Sequence, residues 1–311
     1  MAGSQQQNPD PRNADVLIYL NGQLLPRAAA RVSIYDGGFV CGDGVWEGIR
    51  LHRGALLFLD EHLDRLYWGA GRIRLDIGMD RQTLAGELRR TLEANRMHDG
   101  VHIRLMVTRG EKSALNQDPR NALGRPTLAI VAEYKLPAPE LASAGVSLAT
   151  SSVLCTPAAM FDMRLNSHSR LNLIAALLQA IDAGADEALM LDPHGFVSSC
   201  NATNFFFVRQ GEVRSSRGEY CFNGITRGKV IALCQQAAIP LNLGEITLAE
   251  AQAADEAFLT GTFGGITPVR EIDGRALAAP FPGPVTRRVQ ALYAALRDAQ
   301  ATQATQAVGH E

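Results

Sequence analysis

Residues 135–145, KLPAPELASAG, contain two prolines and no helical or strand period, and strand-like and helix-like runs alternate on both sides of them. A chain interrupted in this way is expected to fold as two mixed α+β and α/β domains joined by a short connection. The resulting division is a disordered start over 1–14, a small domain at 15–135, a linker at 136–146, a larger domain at 147–299 and a disordered tail over 300–311. With 311 residues, 46% apolar and 20% charged, there is material for one large core or two ordinary ones. The two ends, MAGSQQQNPDPRNAD and ATQATQAVGHE, are polar and aperiodic.

In the first half, VLIYL followed by Asn21-Gly22 predicts a hairpin from Asp15 to Leu25, since that pair tolerates the positive φ of a tight turn. A strand at Val45–His52 is separated by Gly54 from ALLFL. Asp60 is placed to cap a helix whose apolar face begins at Leu63, Leu66 and Tyr67. Leu84, Leu88 and Leu92 mark a second helix, and VHIRLMVT and PTLAIVAEY alternate as strands. The second half reads as strand VSLATSSV, helix LNLIAALLQAIDAG, strand EALMLD, hairpin NFFFVRQGEVRSS, and helices at Thr226–Ala238 and Pro284–Arg297 around the strand AFLTGTF. Apolar faces near Leu171–Ala180 and Val285–Leu296 read as core or dimer packing.

Charge excludes two classes of partner. Lys+Arg of 30 against Asp+Glu of 32 leaves a net charge of −2, with no surplus to neutralise a nucleic-acid backbone or an anionic membrane. No run resembles a signal peptide or a membrane span, so the expected location is the cytoplasm. Cys41, Cys155, Cys200, Cys221 and Cys234 form no CxxC pair, which suggests neither a disulfide framework nor a zinc site. The basic residues are 27 arginines and only three lysines, Lys112, Lys135 and Lys229.

Two loops suit an anion. Gly224-Ile225-Thr226 directly precedes a helical run, where unpaired N–H groups and the helix dipole favour negative charge. Gly261-Thr262 ends a strand and leads into Phe263-Gly264-Gly265, offering a hydroxyl and flexible donors. Arg50 ends GDGVWEGIR and can aim a planar guanidinium at phosphate or form a surface ion pair. Each of these also has an ordinary structural reading as a helix cap or turn.

Taken in chain order, DGGFVCGDGVWEGIR (36–50), FLDEHLDRL (58–66), GITR (224–227) and GTFGGITPVREIDG (261–274) resemble the fold-type IV pyridoxal phosphate enzymes, the class IV aminotransferase family. That family includes branched-chain and D-amino acid aminotransferases and aminodeoxychorismate lyases. The resemblance covers about Val16 to Arg297. It implies a small N-terminal α/β domain, a larger C-terminal domain with a barrel-like sheet, a cofactor cleft between them and a homodimer. It also implies a phosphate cup of Arg50, Gly224, Ile225, Thr226, Gly261 and Thr262.

The pattern breaks at two positions. The family's lysine, which links covalently to the cofactor and then shuttles the substrate proton, opens a segment resembling K-S-H-N-K-L-N. Here that segment is Asn166-Ser167-His168-Ser169-Arg170-Leu171-Asn172, and an amide nitrogen is neither nucleophile nor base. Arg164 and Arg170 stay protonated and are poor replacements. The family's glutamate, which pairs with the pyridine nitrogen, falls on Ser199, whose hydroxyl can hydrogen-bond the nitrogen without holding a proton there. The D-amino acid branch's carboxylate-binding arginine and histidine fall on Ala114 and Asn116.

His168 can act as a general base. Arg104 matches a branched-chain-type arginine and is a candidate substrate contact or a partner for an acidic neighbour. Phe39 and Trp46 read as pocket or core residues. The resulting expectation is an atypical family member that binds pyridoxal phosphate or a similar phosphorylated ligand non-covalently and acts on an amine or amino acid. The alternatives are a non-catalytic vitamer binder, and an ordinary aminotransferase carrying a lysine-to-asparagine change at 166.

Overall fold

The computed structural model describes residues 9–277 and 280–308. The chain divides into two compact units. The N-terminal unit comprises Pro9–Leu136, Leu165–Arg170 and 298–308; the C-terminal unit comprises Pro137–Arg164 and Leu171–Arg297.

The N-terminal unit contains strands β1 (Leu17–Leu20), β2 (Gln23–Pro26), β3 (Gly44–His52), β4 (Ala55–Leu56), β5 (Val101–Thr108) and β6 (Thr127–Tyr134), with helices α1 (Gly37–Cys41), α2 (Leu59–Arg72) and α3 (Arg81–Ala94). Its sheet is antiparallel throughout, in the order β2-β1-β6-β5-β3-β4. The β1–β2 hairpin turns on Asn21 and Gly22, both at positive φ (48° and 91°), as the sequence predicts. Alternation along β3 and β5 sends Val45, Ile49, Val101, Ile103, Leu105 and Val107 into a core shared with Leu63, Leu66, Leu84, Leu88 and Leu92 of the two long helices. The same alternation leaves Trp46, Gly48, Arg50, His102 and Arg104 on the other face.

The C-terminal unit holds α4 (Leu141–Ala144), β7 (Val146–Thr150), α5 (Leu171–Asp182), β8 (Glu187–Leu191), β9 (Val197–Cys200), β10 (Asn204–Arg209), β11 (Glu212–Ser216), α6 (Ile225–Gln236), β12 (Leu241–Gly244), α7 (Leu248–Gln252), β13 (Glu256–Gly261), β14 (Gly265–Ile272), β15 (Arg275–Ala276) and the first part of α8 (Pro284–Val308). Its mixed sheet runs β12-β11-β10-β13-β14-β7-β8-β9, with β15 on β14. Phe205, Phe206 and Phe207 are all buried, so β10 is covered on both faces, and Phe206 stacks on Phe258 at 5.1 Å.

Several expectations are corrected. The tail expected to be disordered from 300 is helical to Val308, while 309–311 lie outside the described residues. Its polar side chains are engaged: Asp298 takes His52 Nε2 at 2.8 Å, and Gln300 accepts the Phe58 N–H at 3.1 Å. Of the start expected to be disordered, 1–8 lie outside the described residues, but Pro11–Asp15 form a turn of 3₁₀ helix. There Arg12 stacks 3.6 Å over Tyr134, and Asn13 bonds the Tyr134 backbone in both directions. Asp60 does not cap α2: the helix starts one residue earlier, after Phe58 at φ 55°, and Asp60 sits in its first turn. The segment read as a linker carries α4, and 165–170 return to the N-terminal unit.

Candidate active site

In the N-terminal unit the segment 166–168 adds to the edge of β3. Asn166 O accepts the Trp46 N–H at 2.9 Å, Val45 bridges Ser167, and the His168 N–H donates to Gly44 O at 3.0 Å. Gly44 makes this approach possible, since a Cβ there would lie 2.7 Å from His168 Cδ2 and 2.5 Å from Val107 O.

Asn166 is 5% exposed, and both its amide nitrogen and its amide oxygen are hydrogen-bonded. Nδ2 donates to Trp46 O at 2.5 Å, and Oδ1 accepts from Arg170 Nη2. Arg170 Nε in turn donates to Ser167 O at 2.9 Å, and the indole Nε1 of Trp46 donates to the same carbonyl at 3.0 Å. Two guanidiniums flank that indole: Arg104 lies 3.2 Å and Arg170 5.2 Å from its centroid. Burial pushes each of these arginines down to about 10, and Arg104 adds a repulsion that lowers Arg170 further. Arg104 makes no hydrogen bond among the described residues, whereas the nearby Glu47 is held by His62 at 2.7 Å and by both arms of Arg65. His168 Nε2 is buried without a partner among the described residues. Burial first, and then the charges of Arg104 and Arg170, lower His168 to about 4, so the ring is neutral at pH 7.

Arg50 also lies in this unit, buried, with Nη1 donating to Lys135 O at 2.7 Å. The Lys135 amine is lowered from its ordinary value by burial, with Arg104 and Arg50 adding to the effect. Lys112 is buried and its Nζ donates to Asp118 O at 2.8 Å within the loop after β5. Phe39, read as a pocket or core residue, is 75% exposed on the short helix α1, which excludes the core reading in this unit.

In the C-terminal unit Asn204, the first residue of β10, organises the two loops expected to suit an anion. Its Oδ1 accepts the Gly224 N–H at 3.2 Å and its Nδ2 donates to Phe222 O at 2.6 Å, which fixes the loop leading into α6. A Cβ at Gly224 would come within 2.5 Å of Asn204 Oδ1, so a larger residue would push the amide that holds the loop. The N-terminus of α6 has no side-chain cap. Asn204 pairs across the sheet with Thr260, next to Gly261 and Thr262. Tyr293 joins the two loops: its hydroxyl is 3.5 Å from Thr226 Oγ1 and its ring lies 3.4 Å from where a Gly265 Cβ would be. Uncapped backbone donors, Thr226 and Thr262 thus make a donor set that fits a phosphate.

The Ser199 Oγ donates to Thr203 O at 2.8 Å and accepts from Asn204 Nδ2 at 3.2 Å. Sequence reasoning missed the stacked Arg104–Trp46–Arg170 group and the bridging Tyr293. The spacing of Arg170, four residues beyond Asn166, was the available signal for the first; Tyr293 lay in a helix read only as packing.

Residues 44–272 match the amino-transferase class IV family, and the chain belongs to it, a family of pyridoxal phosphate-dependent enzymes. It is similar to the Arabidopsis thaliana branched-chain-amino-acid aminotransferase-like protein 2, at 38% identity over 290 residues, covering 93% of this chain and 52% of that protein. The chain therefore spans about half the length of this first relative. It is 32% identical to the branched-chain-amino-acid aminotransferase of Pseudomonas aeruginosa, over 90% of this chain and 92% of that one. Among solved structures, the branched-chain aminotransferase of the thermophilic archaeon Thermoproteus uzoniensis with norvaline matches with a TM-score of 0.80 at 31% identity, covering 90% of this chain and 93% of that chain. Among the described residues no helix is long and apolar enough to cross a membrane.

Proposed function

We propose that this protein is an atypical class IV aminotransferase-family member that binds pyridoxal phosphate, or a similar phosphorylated ligand, without a covalent link, and acts on an amine or amino acid. The observation that carries this reading is the amide of Asn166, engaged through both its nitrogen and its oxygen. Where the resemblance calls for an amine, the chain has a buried side chain whose donor goes to Trp46 O and whose acceptor goes to Arg170. The loops of the C-terminal unit support phosphate binding, and Asn166 of the N-terminal unit supports a cofactor held without a covalent link at that position.

In this reading Thr226, Thr262 and the backbone of Ile225 hold the phosphate, while the Gly224 N–H stays with Asn204 and Phe222 and shapes the loop; Arg50 is assigned to the cup by the resemblance. When bound, pyridoxal phosphate supplies an electron sink for charge developing at the carbon next to an amine. The chain's own residues provide orientation and proton transfer. Trp46 and Arg104 present an aromatic and cationic surface to a substrate carboxylate, and the unpartnered Nε2 of His168 is the acceptor for a proton. At about 4, His168 is a weak base in the ligand-free protein. An anion that neutralises Arg104 and Arg170 raises it toward its ordinary value, which couples substrate binding to base strength.

The apolar stripe of Leu171, Ile174, Leu178 and Ile181 on α5 is exposed in the single chain, and a second copy of the chain is the partner expected to cover it. Equilibrium dialysis against pyridoxal phosphate tests the phosphate assignment. Thr226→Val and Thr262→Val should each weaken retention about ten-fold, the loss of a hydrogen bond to a charged group, with inorganic phosphate competing. Retention unchanged in both variants rejects the cup.

A further inference from the structure

Only residues 201–203 connect β9 to β10, so the end of one strand stands beside the start of the next. Ser199 and Asn204 meet there, both buried. Thr203 O takes the Cys200 N–H at 2.9 Å and the Ser199 hydroxyl at 2.8 Å. With its proton used in this way, Ser199 Oγ faces Asn204 as an acceptor, and Asn204 Nδ2 donates to it at 3.2 Å.

An amide carries two protons on its nitrogen, and both are matched here. One goes to Ser199 Oγ and the other to Phe222 O at 2.6 Å, with Cys221 Sγ at 3.6 Å as a weaker neighbour. Both oxygen acceptors call for the NH2 group on that side, which leaves Asn204 Oδ1 facing the Gly224 N–H at 3.2 Å. Turned over, the same amide would set its NH2 against that N–H and its oxygen against Phe222 O, two unfavourable contacts in a buried place. Asn204 therefore grips the chain on both sides of Asn223, at Phe222 O and at the Gly224 N–H. The next residue, Ile225, opens α6, whose N-terminus carries no side-chain cap.

We propose that Ser199 is a positioning residue for this loop: by fixing the orientation of the Asn204 amide, it sets the direction of the donors of Ile225 and Thr226 that receive a phosphate. Phosphate uptake by the loop is the reading given above, on which this role rests. Where the resemblance puts a glutamate at a cofactor's ring nitrogen, the serine serves the phosphate end, through Asn204 and without touching the ligand.

Ser199→Ala is a mild change for the fold, because Thr203 O keeps the Cys200 N–H and Asn204 Nδ2 keeps Phe222 O. Its cost falls on the orientation of one amide. Isothermal titration of the full chain with inorganic phosphate and, separately, with pyridoxal phosphate should show both ligands weakened about five-fold, the worth of one neutral hydrogen bond. Inorganic phosphate has no ring, so an equal effect on the two ligands separates a role at the loop from a contact with the ring nitrogen. In an Asn204→Leu background, shown to be folded by circular dichroism, the link is already gone, and Ser199→Ala should change either affinity by less than about two-fold. Amide hydrogen exchange of the ligand-free protein reads the loop by itself. Exchange at Gly224 should rise about five-fold in Ser199→Ala, with the amides of Phe205–Val208 unchanged. Pyridoxal phosphate weakened alone, neither ligand weakened, exchange at Gly224 unchanged, or exchange raised throughout β10 overturns the role. If Thr226→Val leaves phosphate binding unchanged, it is the phosphate reading that fails, and the exchange at Gly224 then decides by itself whether Ser199 holds the loop.

Discussion

Asn166→Lys inserts the amine that the family's chemistry uses, and the structure predicts that the surroundings resist it. The lysine loses the amide donor to Trp46 O, worth about 1 kcal/mol, and takes the neutral Oδ1 acceptor away from Arg170, about 1.5–3 kcal/mol in a buried setting. It also brings an ammonium close to Arg170. At an effective dielectric near 20, two unit charges about 5 Å apart repel by about 3 kcal/mol, enough to lower the amine from 10.4 to about 8. A lysine lowered in the folded state means that the unfolded chain binds the extra proton. The variant's stability therefore rises with pH between about 8 and 10 and carries its full deficit below about 8. Urea unfolding should show about 6 kcal/mol lost at pH 7 and about 4 kcal/mol lost at pH 10, relative to the parent at each pH. Adding Arg170→Gln should remove most of the pH dependence. A variant as stable as the parent at pH 7, or a deficit constant from pH 7 to 10, would rule out Arg170 and Asn166 as a pair adapted to each other.

Two further outcomes follow from the histidines. His168 should titrate at about 4 by NMR in the ligand-free protein, and Arg104→Gln should move it upward, since removing a positive neighbour favours the protonated ring; no movement would place Arg104 too far away to matter. His102 lies lowest, at about 3, through burial with Lys135, Arg50 and Arg104 adding to the effect, and His168 behaves in the same way. Both rings refuse protons that the unfolded chain accepts, so stability is full above about pH 6.5 and falls as pH drops. Each contributes up to about 1.4 kcal/mol per pH unit between about pH 6 and 5, and His102→Gln should flatten that slope in urea unfolding.

Much of the fold was legible in the sequence where a local rule applied. Asn21-Gly22 can serve only a few turns, and the alternation in VHIRLMVT separates a core face from a polar face. The ends were misread for a physical reason: Asn13, Asp298 and Gln300 are ordered by hydrogen bonds to distant backbone and side chains, which leave no period in the sequence. The capping role given to Asp60 failed because Phe58, at positive φ, turns the chain into α2 one residue earlier than the acidic residue suggests.

The candidate site divided along the same line. Gly224 and Thr226 could be found because a helix terminus advertises its donors. Asn166 could be noticed only as a departure from a pattern, and what it does instead depends on Trp46, 120 residues away in sequence. Ser199 could be noticed only as another departure from the pattern, and the bond that its hydroxyl makes to Thr203 O is fixed by the turn between β9 and β10. Trp46, Arg104 and Arg170 come from β3, β5 and a returning segment, so their stacking belongs to the tertiary structure alone.

Whether any amine of this chain carries the cofactor can be read by saturating the protein with pyridoxal phosphate, reducing with borohydride and mapping pyridoxyl adducts by mass spectrometry. Non-covalent binding requires substoichiometric labelling spread over Lys112, Lys135 and Lys229, with cofactor retained before reduction recovered free after denaturation. A single lysine labelled to one adduct per chain would mean that the cofactor is covalently held after all.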